Sequence, residues 1–288
     1  MRAISQKENV SLNILKGVAC ICVVWIHCPF PGTAGKVITG FARFAVPLFF
    51  AISGYFVYDK EPEKIYCKIK HIAKILIVTE GFYFIWYFIR GCIRGGRYGV
   101  VEWIRKTLTL EAVMNCIVFQ KTIIIDVAWF LLALLLAYML TLGVNKYACW
   151  KSMFRIIPIL LFLNEIIART APSICPDGMR WYWNANLWLL GWPCYVIGYW
   201  IRINQRKLLN IATEKWLMLI TVSFLLNLVE VFMPGTSWFY ISNIPFMIGS
   251  MVLCLKHPVF IRHRGGETAS VCWQRTFPWS IYLAYVCA

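Results

Sequence analysis

Lys16 and His27 lie eleven positions apart in one apolar run. On an α-helix, eleven steps of about 100° come within about 20° of three full turns, so the two side chains share a face, about 16 Å apart along the axis. That is about half the hydrocarbon thickness of a bilayer. A cation can grip a phosphate-bearing donor, while a neutral imidazole further along takes a proton from a hydroxyl. Taken singly, each has a plainer role: a lysine snorkelling to headgroups and a histidine capping the outer end of a span.

Arg43 opens a second apolar run that continues through Pro47-Leu48-Phe49-Phe50-Ala51-Ile52-Ser53-Gly54-Tyr55. An arginine there needs a partner or a water-filled cavity. Pro47 is expected to kink the helix and open space beside the first span. Ser53 and Gly54 are small enough to admit another backbone, a packing role more often than a chemical one. Glu80, Asp126, Glu165 and Glu230 lie in or near other runs, and Asn227 shares a face with Glu230. Spacing does not choose a carboxylate partner for His27; Glu80, Asp126 and Glu230 are the available guesses.

The elements that must hold these residues are set by composition. The 288 residues are 60% hydrophobic and 15% charged, with a mean hydropathy of +0.65. A soluble domain carries about a quarter charged residues. A cytosolic globular enzyme, a disordered chain and a secreted disulfide scaffold are all excluded. The expected fold is all-α, a polytopic integral membrane helix bundle of about eight to ten spans, in one domain covering residues 1–288. Apolar blocks fall at residues 12–28, 41–58, 72–89, 123–142, 156–168, 187–201, 216–233 and 238–255. The first block is read as a retained span, because Lys16 interrupts it and another block follows at once. The last block, residues 277–288, is too short to cross a bilayer, so the chain reads as C-terminally truncated.

The net charge of +16 would suggest nucleic acid in a soluble chain. Here the cations sit in loops. With the N-terminus inside, nineteen Lys and Arg fall on the inner side and nine on the outer, with Arg43 inside a span. This predicts a cytoplasmic N-terminus and no nucleic-acid partner. Six of the nine outer cations belong to residues 90–122. An amphipathic helix lying in the interface accounts for them; a re-entrant pair or an extra span competes. The twelve Cys show no metal or disulfide spacing and are expected to be reduced and mostly buried. Glycine-rich phosphate loops, Gly-x-Ser-x-Gly and His-Glu-x-x-His are all missing from the sequence.

The string Asn13-Ile14-Leu15-Lys16 through Trp25-Ile26-His27 resembles the first membrane helix of acyltransferase family 3, a basic residue followed after ten positions by His. Val46-Pro47-Leu48-Phe49-Phe50-Ala51-Ile52-Ser53-Gly54-Tyr55 resembles that family's second signature, and Trp129-Phe130-Leu131 and Ile281-Tyr282-Leu283 resemble later elements. The resemblance implies a multi-pass O-acyltransferase of the cell inner (plasma) membrane. It would take acetyl from cytoplasmic acetyl-CoA, without a metal, and place it on a hydroxyl of a glycan or lipid-linked saccharide. It further implies His27 as general base or acyl-handling residue and Lys16, with Arg43, on the donor side. Ser53, Gly54 and Trp129 would shape the site. The sequence departs from the pattern in having Lys rather than Arg at 16, Asn at 13 where Asp is common, and Tyr285 where His often stands. Two other functions remain open at this point. One is an amino-acid-handling membrane domain like that of the vancomycin-resistance-type serine racemase. The other is a transporter or exporter with Lys16, Arg43 and His27 lining its path.

Overall fold

The computed structural model describes residues 10–174, 180–233 and 239–258, and all regular structure among them is helical. Among the described residues most of each of the eight apolar blocks is helical, and five helices are long and apolar enough to cross a membrane by length and composition. These five are Val10–His27, Gly32–Val57, Pro62–Ile93, Asp126–Lys146 and Thr213–Phe232. The protein is a polytopic helical membrane protein. The block at 277–288 and Tyr285 lie outside the described residues.

Helix α1 (Val10–His27) buries Leu12, Ala19 and Cys22. The second span is two pieces, α2 (Gly32–Ala42) and α3 (Ala45–Val57), broken at Arg43 and Phe44. Pro47 is the cause: it has no N–H for the carbonyl of residue 43, and its ring clashes with that carbonyl. The break thus falls one turn before the proline. The expected run from residue 41 is therefore the second half of a span that begins at Gly32.

Helix α4 (Pro62–Thr107) reverses at Gly96, whose φ of 55° and ψ of −146° no regular helix contains. An unbroken helix would hold Tyr87 and Trp103 about 24 Å apart. Their rings instead stack with centroids 6.1 Å apart, and Trp103 also meets Phe84 at 5.5 Å. The basic segment 90–122 is thus not an extra span, because its helical pieces, residues 97–107 and Leu110–Phe119, are each too short to cross a bilayer. Residues 97–107 fold back on the end of their own helix, and the short α5 (Leu110–Phe119) follows, capped by the Thr109 hydroxyl accepting from the Ala112 amide at 3.1 Å.

The chain continues through α6 (Trp129–Lys146), α7 (Trp150–Ile174), a π-helical turn at Leu187–Gly191, α8 (Trp192–Ile203), α9 (Gln205–Asn210), α10 (Thr213–Phe232) and α11 (Asn243–Lys256). The core is the crossing of α3 with α8. A methyl group on Gly54 would lie 1.8 Å from the Tyr195 carbonyl oxygen, and one on Gly198 would lie 1.8 Å from that of Ala51. Small residues at such crossings let backbones touch. Around it pack Phe44, Leu48, Phe50 and Tyr195, all fully buried.

Two faces of the bundle follow from the contacts. On the Lys16 face, the Ser11 hydroxyl donates to the His257 carbonyl at 2.7 Å, and the Tyr55 hydroxyl donates to Gln205 at 3.0 Å. On the opposite, His27 face, the Leu187 amide donates to Gln120 at 2.8 Å, and Asn164 and Asn184 bond reciprocally. One cysteine expectation needs correction. Among the nine described cysteines all are free thiols, but only Cys22 and Cys194 are buried. The others are half-buried or exposed, and two of them, Cys28 and Cys149, lie beyond the helix ends in a bend and a turn.

Candidate active site

Lys16 and His27 do share one flank of α1, beside the stripe of Leu12, Ala19 and Cys22 that faces the core. Lys16 sits at the seam between α1 and α3. Its ammonium donates to the Asn13 amide oxygen at 3.5 Å and lies 5.3 Å from the centre of the Phe56 ring. Both interactions suit a cation at a membrane edge.

His27 closes α1 at the other face. The break between α2 and α3 brings Arg43 close enough for its charge to be felt at the imidazole. Arg43 in turn lies within electrostatic reach of the Tyr240 phenol. The break itself is tied down by side chains from distant helices. The Asn243 amide donates to the Gly40 carbonyl at 3.1 Å, and the Asn227 amide donates to the Asn243 oxygen and to the Ser242 hydroxyl, both at 3.2 Å. Glu230 accepts from the Ser242 amide at 3.2 Å and also from its hydroxyl. Asn227, Ser242 and Asn243 are almost wholly buried. In such a place each lost partner exposes a polar group to an apolar surrounding, so the network holds α2, α10 and α11 in one arrangement.

The three carboxylates weighed as partners for His27 are occupied elsewhere. Glu80 accepts from the Ile124 amide at 3.2 Å, Asp126 accepts from the Trp181 indole, and Glu230 serves Ser242. Among the described residues no carboxylate hydrogen bonds the His27 ring. Glu165 pairs with Arg169 at 2.7 Å, close enough to Glu230 for both charges to act on it. No three His, Cys, Asp or Glu side chains among the described residues converge as a metal site would need.

The remaining sequence-predicted residues lie apart from this pair. Ser53 hydrogen bonds to the Tyr138 hydroxyl, which also accepts from Lys68 at 3.5 Å. Gly54 is consumed by the crossing with α8. Trp129 packs against Phe50 and Trp181, with ring centroids 6.3 and 6.1 Å away. The structure therefore puts His27 within electrostatic reach of Arg43, leaves Lys16 at the far end of the same flank, and gives Ser53, Gly54 and Trp129 places in the packing. The Asn227–Ser242–Asn243 network was half visible in the spacing of Asn227 and Glu230. Its other half, Ser242-Asn243 at the start of α11, carries only the weak signal of a polar pair opening an apolar helix.

These features define an integral-membrane helical protein with a basic residue and a histidine along one flank of its first helix, and a half-buried arginine within electrostatic reach of the histidine. The family model Acyl_transf_3, described as an acyltransferase domain, matches residues 9–285. The chain belongs to that family. Curated proteins and solved structures give no match.

Proposed function

We propose that the protein moves an acetyl group from cytoplasmic acetyl-CoA to a hydroxyl of a cell-surface glycan or of its lipid-linked precursor. The observation that carries this reading is the flank of α1 that has Lys16 at one end and His27 at the other, with the charge of Arg43 acting on the imidazole. The Lys16 face faces the cytoplasm in this reading, in keeping with the excess of Lys and Arg on that side and with an inner-membrane location. Lys16 meets the phosphate-bearing donor as a point charge; it lacks the two-pronged reach an arginine would have. Acetyl-CoA supplies the acyl group as an activated thioester.

The balance of the step is simple. The acceptor oxygen bonds to the acyl carbon while its proton passes to the His27 imidazole; the carbon–sulfur bond breaks, and the proton goes on to the departing thiolate. Arg43, three residues after the Gly40 carbonyl that Asn243 holds, supplies positive charge where the carbonyl oxygen becomes negative. Membership in an acyltransferase family supports transfer over permeation.

The test is the acetyl content of surface glycans in a deletion strain complemented with wild type or His27→Ala at equal membrane levels. Wild type restores acetylation, and His27→Ala lowers the rate by about 10²–10⁴-fold, the usual contribution of a positioned general base. Restoration by both versions removes His27 from the chemistry. Acetylation untouched by the deletion refutes the transfer itself.

A further inference from the structure

The folded-back end of α4 encloses something the transfer step does not use. Between residues 97–107, α5 and the stretch 121–126 lies a half-open cleft of about 310 Å³. That volume is at the low end of small-ligand sites. One wall is aromatic, Tyr87 stacked on Trp103. The rest is mostly polar and balanced in charge, Lys106 and Lys121 with Glu111 and Asp126, together with Asn115 and the apolar Ile123 and Ile124. Lys106 is already paired with Glu102 at 2.7 Å, and Asp126 feels the charge of Lys121.

This lining selects among ligands. A free anion would meet two carboxylates, and an acyl chain would leave the charged and amide groups that make up most of the lining without partners. A sugar ring presents C–H groups on its faces and hydroxyls around its rim. It can lay a face on an aromatic wall and exchange hydrogen bonds with donors and acceptors of both signs. We infer that the cleft is a saccharide-binding site that holds the pyranose rings of the acceptor on the His27 face. This rests on the transfer reading for its orientation, since that reading turns the His27 face toward the acceptor side. It also accounts for cations in residues 90–122 that the positive-inside pattern does not: Lys106 and Lys121 line a binding cleft.

The full chain in lipid nanodiscs is titrated by saturation-transfer NMR with the methyl pyranosides of glucose, galactose, mannose and fucose, and with glycerol as a polyol without a ring. At least one pyranoside binds saturably where glycerol does not. Trp103→Ala and Asn115→Ala each weaken it by about tenfold or more, the worth of a lost apolar wall or of two hydrogen bonds. Asn115→Ala leaves the end of α5 intact, because the backbone carbonyl of Asn115, not its side chain, accepts from the Gln120 and Lys121 amides. Trp103→Phe keeps a ring and part of the binding, and replaces the alanine variant if that one fails to fold. Binding no better than glycerol overturns the proposal, as does binding unchanged in Asn115→Ala and in the Trp103 variants. His27→Ala separates the two readings. Pyranoside binding kept while acetyl transfer is lost supports both. Binding in a protein whose deletion leaves acetylation untouched supports the cleft alone, and transfer through His27 with no pyranoside bound removes the cleft alone.

Discussion

The crossing of α3 with α8 permits a prediction whose size follows from the geometry. Replacing Gly198 by Ala places a methyl carbon 1.8 Å from the Ala51 carbonyl oxygen; replacing Gly54 by Ala does the same against Tyr195. The closest ordinary approach of such atoms is about 3.3 Å. Each substitution therefore asks the two helices to separate by about 1.5 Å. Neither obstacle is a side chain that can rotate away, so the cost lies at the upper end of overpacking, about 3 kcal/mol. At roughly 2–4 °C per kcal/mol, the midpoint of thermal unfolding in detergent falls by about 6–12 °C. One separation relieves both clashes, so the double variant loses clearly less than the sum of the two singles. Gly143→Ala, on α6 with nothing within 4 Å of the added carbon, is the control and holds its midpoint. The assay is thermal unfolding followed by size-exclusion of the surviving monodisperse fraction, with glycan acetylation measured alongside. Single variants that melt like wild type, or a double variant whose losses add in full, would refute direct backbone contact as the reason for these glycines.

Gly96→Ala destabilises by about 1–3 kcal/mol although nothing lies within 4 Å of the new carbon, because its backbone angles fall in a region that residues with a Cβ avoid. Gly81→Ala, equally uncrowded but within regular helix, costs nothing; limited proteolysis at the hairpin compares the two, and equal sensitivity would dismiss the strained turn. Asn243→Ala strands a buried carbonyl at Gly40 and takes from the Asn227 amide one of its two acceptors, Ser242 remaining, and costs about 1–3 kcal/mol. Because the same tie seats the break that carries Arg43, the proposed acetyl transfer drops more than the loss of folded protein explains; activity falling only in step with folded protein would reduce the network to simple packing.

Several of these features were legible in the residues themselves. The apolar blocks became helices because, in lipid, a chain must satisfy its own backbone groups within each segment. The shared flank of Lys16 and His27 is a matter of eleven residues and a fixed helical pitch. The break ahead of Pro47 follows from one missing N–H. All of these are local, decided within a few turns by covalent geometry and by the solvent. The reversal at Gly96 was not legible, since a glycine in an apolar helix is compatible with either a straight or a broken path. Only the stacking of Trp103 on Tyr87 selects the turn. Nor could spacing bring Arg43 within electrostatic reach of His27, or deny His27 a carboxylate. Those outcomes depend on where α10 and α11 deliver Asn227, Glu230, Ser242 and Asn243, roughly two hundred residues further along the chain. The positions of helices distant in sequence are set by how closely their backbones approach, here through Gly54 and Gly198. Periodicity within one helix carries no record of that distance, and so the tertiary structure alone decides which polar groups meet.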